Sequence, residues 1–189
     1  MLIGMGERLN LFAIPRSDAI SVGIGGDIPV FPPFFAIGTV IAGNLLMKLN
    51  GRKRFVPAWG FFPMNSLPAR IAFMLGVVSF ALHMKASCDV ALAKAGAEFN
   101  FTPVKGIATT GPYEHSRNPM YMALCLMPLG MACLFDNAWI LLTWTLLPLY
   151  LHTIVIPAEE RFLQDSPALA RAYASYSAST PRYLDGIPL

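Results

Sequence analysis

Three clusters of polar residues sit in an otherwise apolar chain, and their side chains are the ones that could do chemistry. The first is the stretch "TTGPYEHSRNPMYM", Thr109 to Met122, with Tyr113, His115, Arg117, Asn118 and Tyr121. The second is the adjacent pair Glu159 and Glu160, and the third is a tail carrying Arg171, Tyr173, Tyr176 and Arg182. Together they offer cationic groups, two carboxylates, phenols and backbone donors around a loop ordered by Gly111-Pro112 and Asn118-Pro119. Such a set suits a small zwitterionic ligand: a carboxylate for an amine or for ribose hydroxyls, and Arg117 for a carboxylate or phosphate. No His, Cys and carboxylate set has metal-ligand spacing, so no metal is expected, and no nucleophilic triad is visible. His83 and His152 read as packed or interfacial residues. Cys88, Cys125 and Cys133 lie in apolar stretches without ligand spacing and read as packing.

The elements that must position these groups are membrane spans. Of 189 residues, 55% are apolar and 13% charged, with a mean hydropathy of +0.53, against about 25% charged in a soluble domain. The net charge of +3 is small and dispersed, which argues against a nucleic-acid partner. Glu7 and Arg8 interrupt any candidate signal sequence, so no secretory leader is expected. The "GIGGD" cluster has no strand before it and does not make a dinucleotide loop.

About 20 helical residues cross the hydrocarbon layer. Ile28 to Leu46 and Leu67 to Ala86 qualify, the second with Arg70 and Lys85 snorkelling at its ends. Pro119 to Ala158 holds one formal charge, Asp136, and is too long for one span, since a single helix would run about 60 Å. The pattern predicts a helical hairpin, Met120–Phe135 and Ala138–Ile156, turning at Asp136–Asn137. Its antiparallel arms return the chain to the side it entered, so the Thr109–Met122 loop and the two glutamates must meet. "NGRKRFVPAWGFFPMNSLP", with Trp59, Phe61 and Phe62, suits a headgroup region. Pro157 is expected to open a new helix, with an amphipathic piece after Pro167. The fold class is thus an all-α membrane protein, a small bundle of about four transmembrane helices, with five as the alternative, a C-terminal helical hairpin and a cytosolic amphipathic tail. Residues 1–27 form an N-terminal segment of uncertain structure, and 28–189 form one domain. Four spans place nine Lys and Arg residues on the side of the loop and tail against five on the other, and the positive-inside rule then puts that side in the cytosol.

"GPYEHSRNPMYM", a two-span hairpin, "EERFL" and "AYASYSASTPRYL", in that order over roughly 96–184, resemble the isoprenylcysteine carboxyl methyltransferase and phospholipid methyltransferase superfamily. The resemblance implies an integral, multi-pass membrane enzyme: bacterial inner membrane, or endoplasmic reticulum or another endomembrane in a eukaryote. It implies S-adenosyl-L-methionine bound outside any Rossmann domain and a lipophilic methyl acceptor reached from the bilayer. Carried over residue by residue, Gly111, Tyr113, Arg117, Asn118, Pro119 and Tyr121 form one wall of the cofactor site, and Glu159 and Glu160 the other. Arg117, Glu160 and Tyr121 are then the catalytic candidates. Asn118 replaces the histidine of the prenylcysteine enzymes and Glu114 stands where arginine is usual, which shifts the expectation away from prenylcysteine and leaves the acceptor open among phospholipid amine, carboxylate and related small molecules. An NADPH-dependent sterol-type reductase and a non-catalytic membrane scaffold are the competing readings.

Overall fold

The structure is a computed structural model, and it describes residues 28–51, 66–96 and 106–184. The N-terminal 27 residues, the basic cluster at 52–54 with its neighbouring aromatics, and Lys105 lie outside the described residues. Five helices carry the described fold, and no strand occurs among the described residues. Helix α1 spans Pro32–Asn50, with two prolines in its first turn where no N–H is needed. Helix α2, Leu67–Ala95, is capped by the Ser66 hydroxyl, which accepts from the Ala69 N–H, and stops at Gly96 in the left-handed region. Helix α3 is Pro119–Phe135 and helix α4 is Ala138–Asp165. Helix α5 is Ala170–Ser179.

Helices α1, α2 and α4 are long and apolar enough to cross a membrane, whereas α3, at 17 residues, is apolar but shorter, about 26 Å. The hairpin turns where the sequence places it. Asp136 takes up a left-handed conformation (φ 48°) and Asn137 caps α4 by accepting from the Trp139 N–H at 3.1 Å.

Three expectations need correction. Helix α2 runs past Ala86 to Ala95, its charged end supported by a Lys85–Asp89 pair one turn apart at 2.5 Å. Pro157 does not open a separate helix. The chain stays helical through a π turn, Leu151–Val155, in which the Ile156 N–H reaches back to the Leu151 carbonyl. Proline lacks an N–H and its ring crowds the carbonyl four residues earlier, and the wider turn relieves both conflicts. One inserted residue rotates all that follows by about 100°, so the π turn sets the direction in which Glu159 and Glu160 point. Arg70 was also expected to snorkel. It turns inward instead, its Nη1 3.9 Å from an Asp136 carboxylate oxygen that is itself almost fully buried.

Packing follows the rule for helices in lipid, where small residues allow close backbone approach. In α1, Ala36, Thr39 and Gly43 are buried, while Phe34, Ile37, Ile41 and Leu45 form an exposed apolar stripe on the opposite side. The buried stripe meets the first turns of α4, where the Thr143 hydroxyl donates to the Thr39 carbonyl at 2.7 Å. Helix α2 lies along α3, Gly130 facing Met74 and Val77. Toward the polar end, Phe35 stacks on Tyr150 with centroids 4.2 Å apart, and the Tyr150 hydroxyl donates to the Val30 carbonyl and accepts its N–H.

A methyl group on Gly43 would stand 2.5 Å from Ile140 Cα, backbone that cannot step aside, whereas Gly38 has open space around it. Gly43→Ala is expected to destabilise the fold by about 1–3 kcal/mol while Gly38→Ala changes little. Denaturation in mixed detergent micelles measures both, and equal stability of the two variants would contradict the α1–α4 seam.

Candidate active site

Each polar cluster is positioned by a local rule. Gly111, with φ 63°, opens a 3-10 turn, Gly111–Glu114, and its N–H donates to the Glu114 carboxylate at 3.0 Å. A positive φ at this position suits glycine. Pro119 starts α3, and the preceding Asn118, at φ −132° and ψ 46°, stays out of the helical region that a following proline disfavours. Asn118 spends its side chain elsewhere: its amide nitrogen donates to the Arg182 carbonyl at 3.0 Å.

That bond belongs to a zipper between 116–118 and 180–182. The Arg117 N–H donates to the Pro181 carbonyl at 2.9 Å, and the fully buried Ser116 hydroxyl donates to the Arg182 carbonyl at 3.2 Å. The Ser116 oxygen also accepts the Asn118 N–H at 3.0 Å. One guanidinium nitrogen of Arg117 donates to the carbonyls of Ser177 and Thr180 at 3.0 and 3.3 Å. It satisfies carbonyls that the end of α5 leaves open, with a cation favoured at that pole.

The second guanidinium nitrogen of Arg117 lies 2.9 Å from Glu160 Oε1. Arg182 approaches the same carboxylate from the other side, its Nε 3.2 Å from Oε1 and its Nη2 paired with Oε2. Glu160 is therefore held by two arginines from segments far apart in sequence. Arg117 is the deeper partner, its side chain 15% exposed against 33% for Arg182. The Glu160 bonds hold the Arg182 guanidinium more firmly protonated than usual. Tyr173 lies under Arg117, 6.0 Å from guanidinium carbon to ring centroid, and burial pushes its phenol well above the usual range. Tyr176 donates its hydroxyl to the Tyr113 carbonyl at 2.7 Å, and burial, opposed by Arg117, lifts its phenol to about 12.

Glu159 does something different. One of its carboxylate oxygens accepts the Tyr121 hydroxyl from α3, and the other has no hydrogen-bond donor among the described residues. Tyr113 turns its phenol inward between Cys88 of α2 and Glu159, and burial raises its pKa strongly. The structure thus brings Tyr113, Tyr121 and Glu159 into one group and Arg117, Asn118 and Glu160 into the adjoining clamp. Gly111 stands at the exposed rim, and Pro119 is buried as the first turn of α3.

Sequence reasoning placed Arg182 in the tail without pairing it, and passed over Ser116. A hydroxyl directly before Arg-Asn-Pro and the late Pro-Arg dipeptide were the available signals. His152 and Tyr183 also meet, ring nitrogen to phenol at 2.9 Å, so His152 on the π turn anchors the tail from below.

Removing Glu160 would leave two arginines facing each other without a counter-charge. Glu160→Ala is expected to cost about 3–5 kcal/mol and to expose α5 to proteolysis. Arg182→Ala, at the more exposed partner, is expected to cost less than Arg117→Ala. Limited proteolysis with thermal melting in detergent ranks the three, and an Arg182 variant weaker than the Arg117 variant would contradict the clamp's geometry.

The family described as phospholipid methyltransferase matches the chain over residues 69–166, just over half of it. The match takes in α2, the loop, the hairpin and both glutamates, and ends before α5 and the Pro-Arg tail. No curated protein and no solved structure matches the chain. Spans, loop and glutamates converge on the same end of the bundle, and the chain belongs to the phospholipid methyltransferase family, a family of membrane methyltransferases.

Proposed function

We propose that the chain transfers a methyl group from S-adenosylmethionine to a lipophilic acceptor drawn from the bilayer, at the cytosolic face. The observation that carries this reading is the Tyr121–Glu159 pair: a half-buried carboxylate with one oxygen fixed by a phenol and the other left for a ligand. Its chemistry fits the cofactor. A carboxylate oxygen of this kind takes an ammonium group or ribose hydroxyls, and Tyr113 and Tyr121 supply apolar ring surface beside it. The Nε of Arg117, buried and without a partner among the described residues, adds an unspent donor in the adjoining wall.

When bound, the cofactor supplies a sulfonium methyl whose displacement is in-line and gains chiefly from positioning and exclusion of water. The residues of the chain do the positioning. Glu160, Arg117 and Arg182 lock the loop to α4 and the tail, and Asn118 and Ser116 close the zipper beneath them. Gly111, Tyr113, Arg117, Asn118, Pro119 and Tyr121 make one wall in this reading, and Glu159 and Glu160 the other. Within that division Glu159 faces the ligand, while Glu160, already neutralised by two arginines, holds the wall in place.

The exposed apolar stripes of α1 and α2 leave an acceptor free to approach through lipid. Over the full sequence the side of the loop and tail carries nine Lys and Arg residues against five on the other, three of those five in the cluster at 52–54, which favours the cytosolic orientation. Membership in a methyltransferase family favours methyl transfer over the reductase and scaffold readings.

Purified protein is expected to bind S-adenosylhomocysteine by calorimetry, with Glu159→Gln and Tyr121→Phe weakening binding at least about tenfold, roughly one charge-assisted hydrogen bond, at unchanged melting temperature. Asn118→His is expected to retain binding. Binding of NADPH in place of S-adenosylhomocysteine would overturn the proposal.

A further inference from the structure

Helix α4 holds one residue more than a regular helix would, and the surplus lies just before the two glutamates. In the π turn Leu151–Val155 the Ile156 N–H reaches back to the Leu151 carbonyl, and turns of this kind recur at functional sites. If the turn wound into regular helix, every residue after it would advance into the place now held by its successor. Glu159 would enter the place of Glu160, between Arg117 and Arg182, and Ala158 would stand opposite Tyr121. The ligand-facing carboxylate would be gone, yet the clamp would still be closed.

The clamp therefore does not choose the register, because either neighbour supplies it with the same carboxylate. Packing does not choose it either. Val155 and Ile156 are both fully buried, and moving Val155 into the place of Ile156 exchanges one β-branched side chain for another that is one carbon smaller. Arg161, whose place Glu160 would take, is exposed. Pro157 is different. In a regular helix its missing N–H would leave the Thr153 carbonyl without its bond, and its ring would press on that same carbonyl. The regular register is closed to this helix as long as proline stands at 157.

We propose that Pro157 is the positioning residue of the site: by forbidding the regular register it holds Glu159, rather than Ala158, opposite Tyr121. Pro157 acts through the helix and not on the ligand. The inference rests on the methyl-transfer reading for the ligand that Glu159 meets. It adds the residue that keeps two identical neighbours in separate roles.

Pro157→Ala in the detergent-solubilised full chain tests this, alone and with Thr153 deleted. Thr153 is exposed on the π turn and its hydroxyl donates within its own helix, to the Leu149 carbonyl at 2.7 Å. Pro157→Ala is expected to melt no lower than the unmodified protein, since the regular helix regains a backbone bond. It is expected to bind S-adenosylhomocysteine at least about tenfold more weakly, for want of the Glu159 carboxylate. In that background the melting loss caused by Glu160→Ala should pass to Glu159→Ala, a transfer that general loosening of the helix would not produce. Deleting Thr153 as well removes the surplus residue and brings Glu159 back opposite Tyr121, so affinity should return to within about threefold of the original.

Unchanged affinity in Pro157→Ala, with the melting loss still at Glu160, would overturn the assignment. Weakened affinity that the deletion does not restore would overturn it too. Absence of S-adenosylhomocysteine binding in the unmodified protein would instead overturn the methyl-donor reading, and the transfer of the melting loss from Glu160 to Glu159 would still decide the register.

Discussion

The Glu160 carboxylate, held between Arg117 and Arg182, is the interaction on which the polar end of this protein depends. It joins the loop before α3, the far end of α4 and the tail after α5. A charge group this enclosed is not a source of stability by itself, because desolvation offsets most of the attraction. Its effect is specificity. A wrong register of loop against tail would leave a buried charge unpaired, and the Arg117 bonds to Ser177 and Thr180 fix the same register a second time.

The bilayer imposes the other constraint. Helices surrounded by lipid gain little from burying apolar surface, so close approach and hydrogen bonds decide how they associate. Gly43 against Ile140, the Thr143–Thr39 bond and the inward Arg70–Asp136 pair do this at the end remote from the site. The bundle is tied by small residues and one ion pair at one end and by a two-arginine clamp at the other. Between them the apolar residues of α1 and α2 face outward. The π turn connects the two regimes, since it carries α4 past Pro157 without a break and swings the glutamates toward the loop.

Much of this was legible in the sequence. One charge in forty apolar residues marked the hairpin turn, and the antiparallel arms then required the loop and the glutamates to meet. Other features depend on contacts between distant residues. Arg70 looked like a headgroup anchor until its partner across the turn was placed. Pro157 looked like a helix start because a local reading cannot weigh a π turn against a break. The different employment of Glu159 and Glu160 was also hidden. Adjacent helical residues point about 100° apart, and only the phase set by the π turn decides which of them meets the arginines and which meets Tyr121.

That division of labour between neighbouring carboxylates is the central claim, and a structure of the protein in lipid with S-adenosylhomocysteine bound tests it most directly. The account predicts the free oxygen of Glu159 in contact with the ligand while Arg117 and Arg182 still grip Glu160. A ligand held by Glu160, with its arginines released and Glu159 turned away, would contradict it.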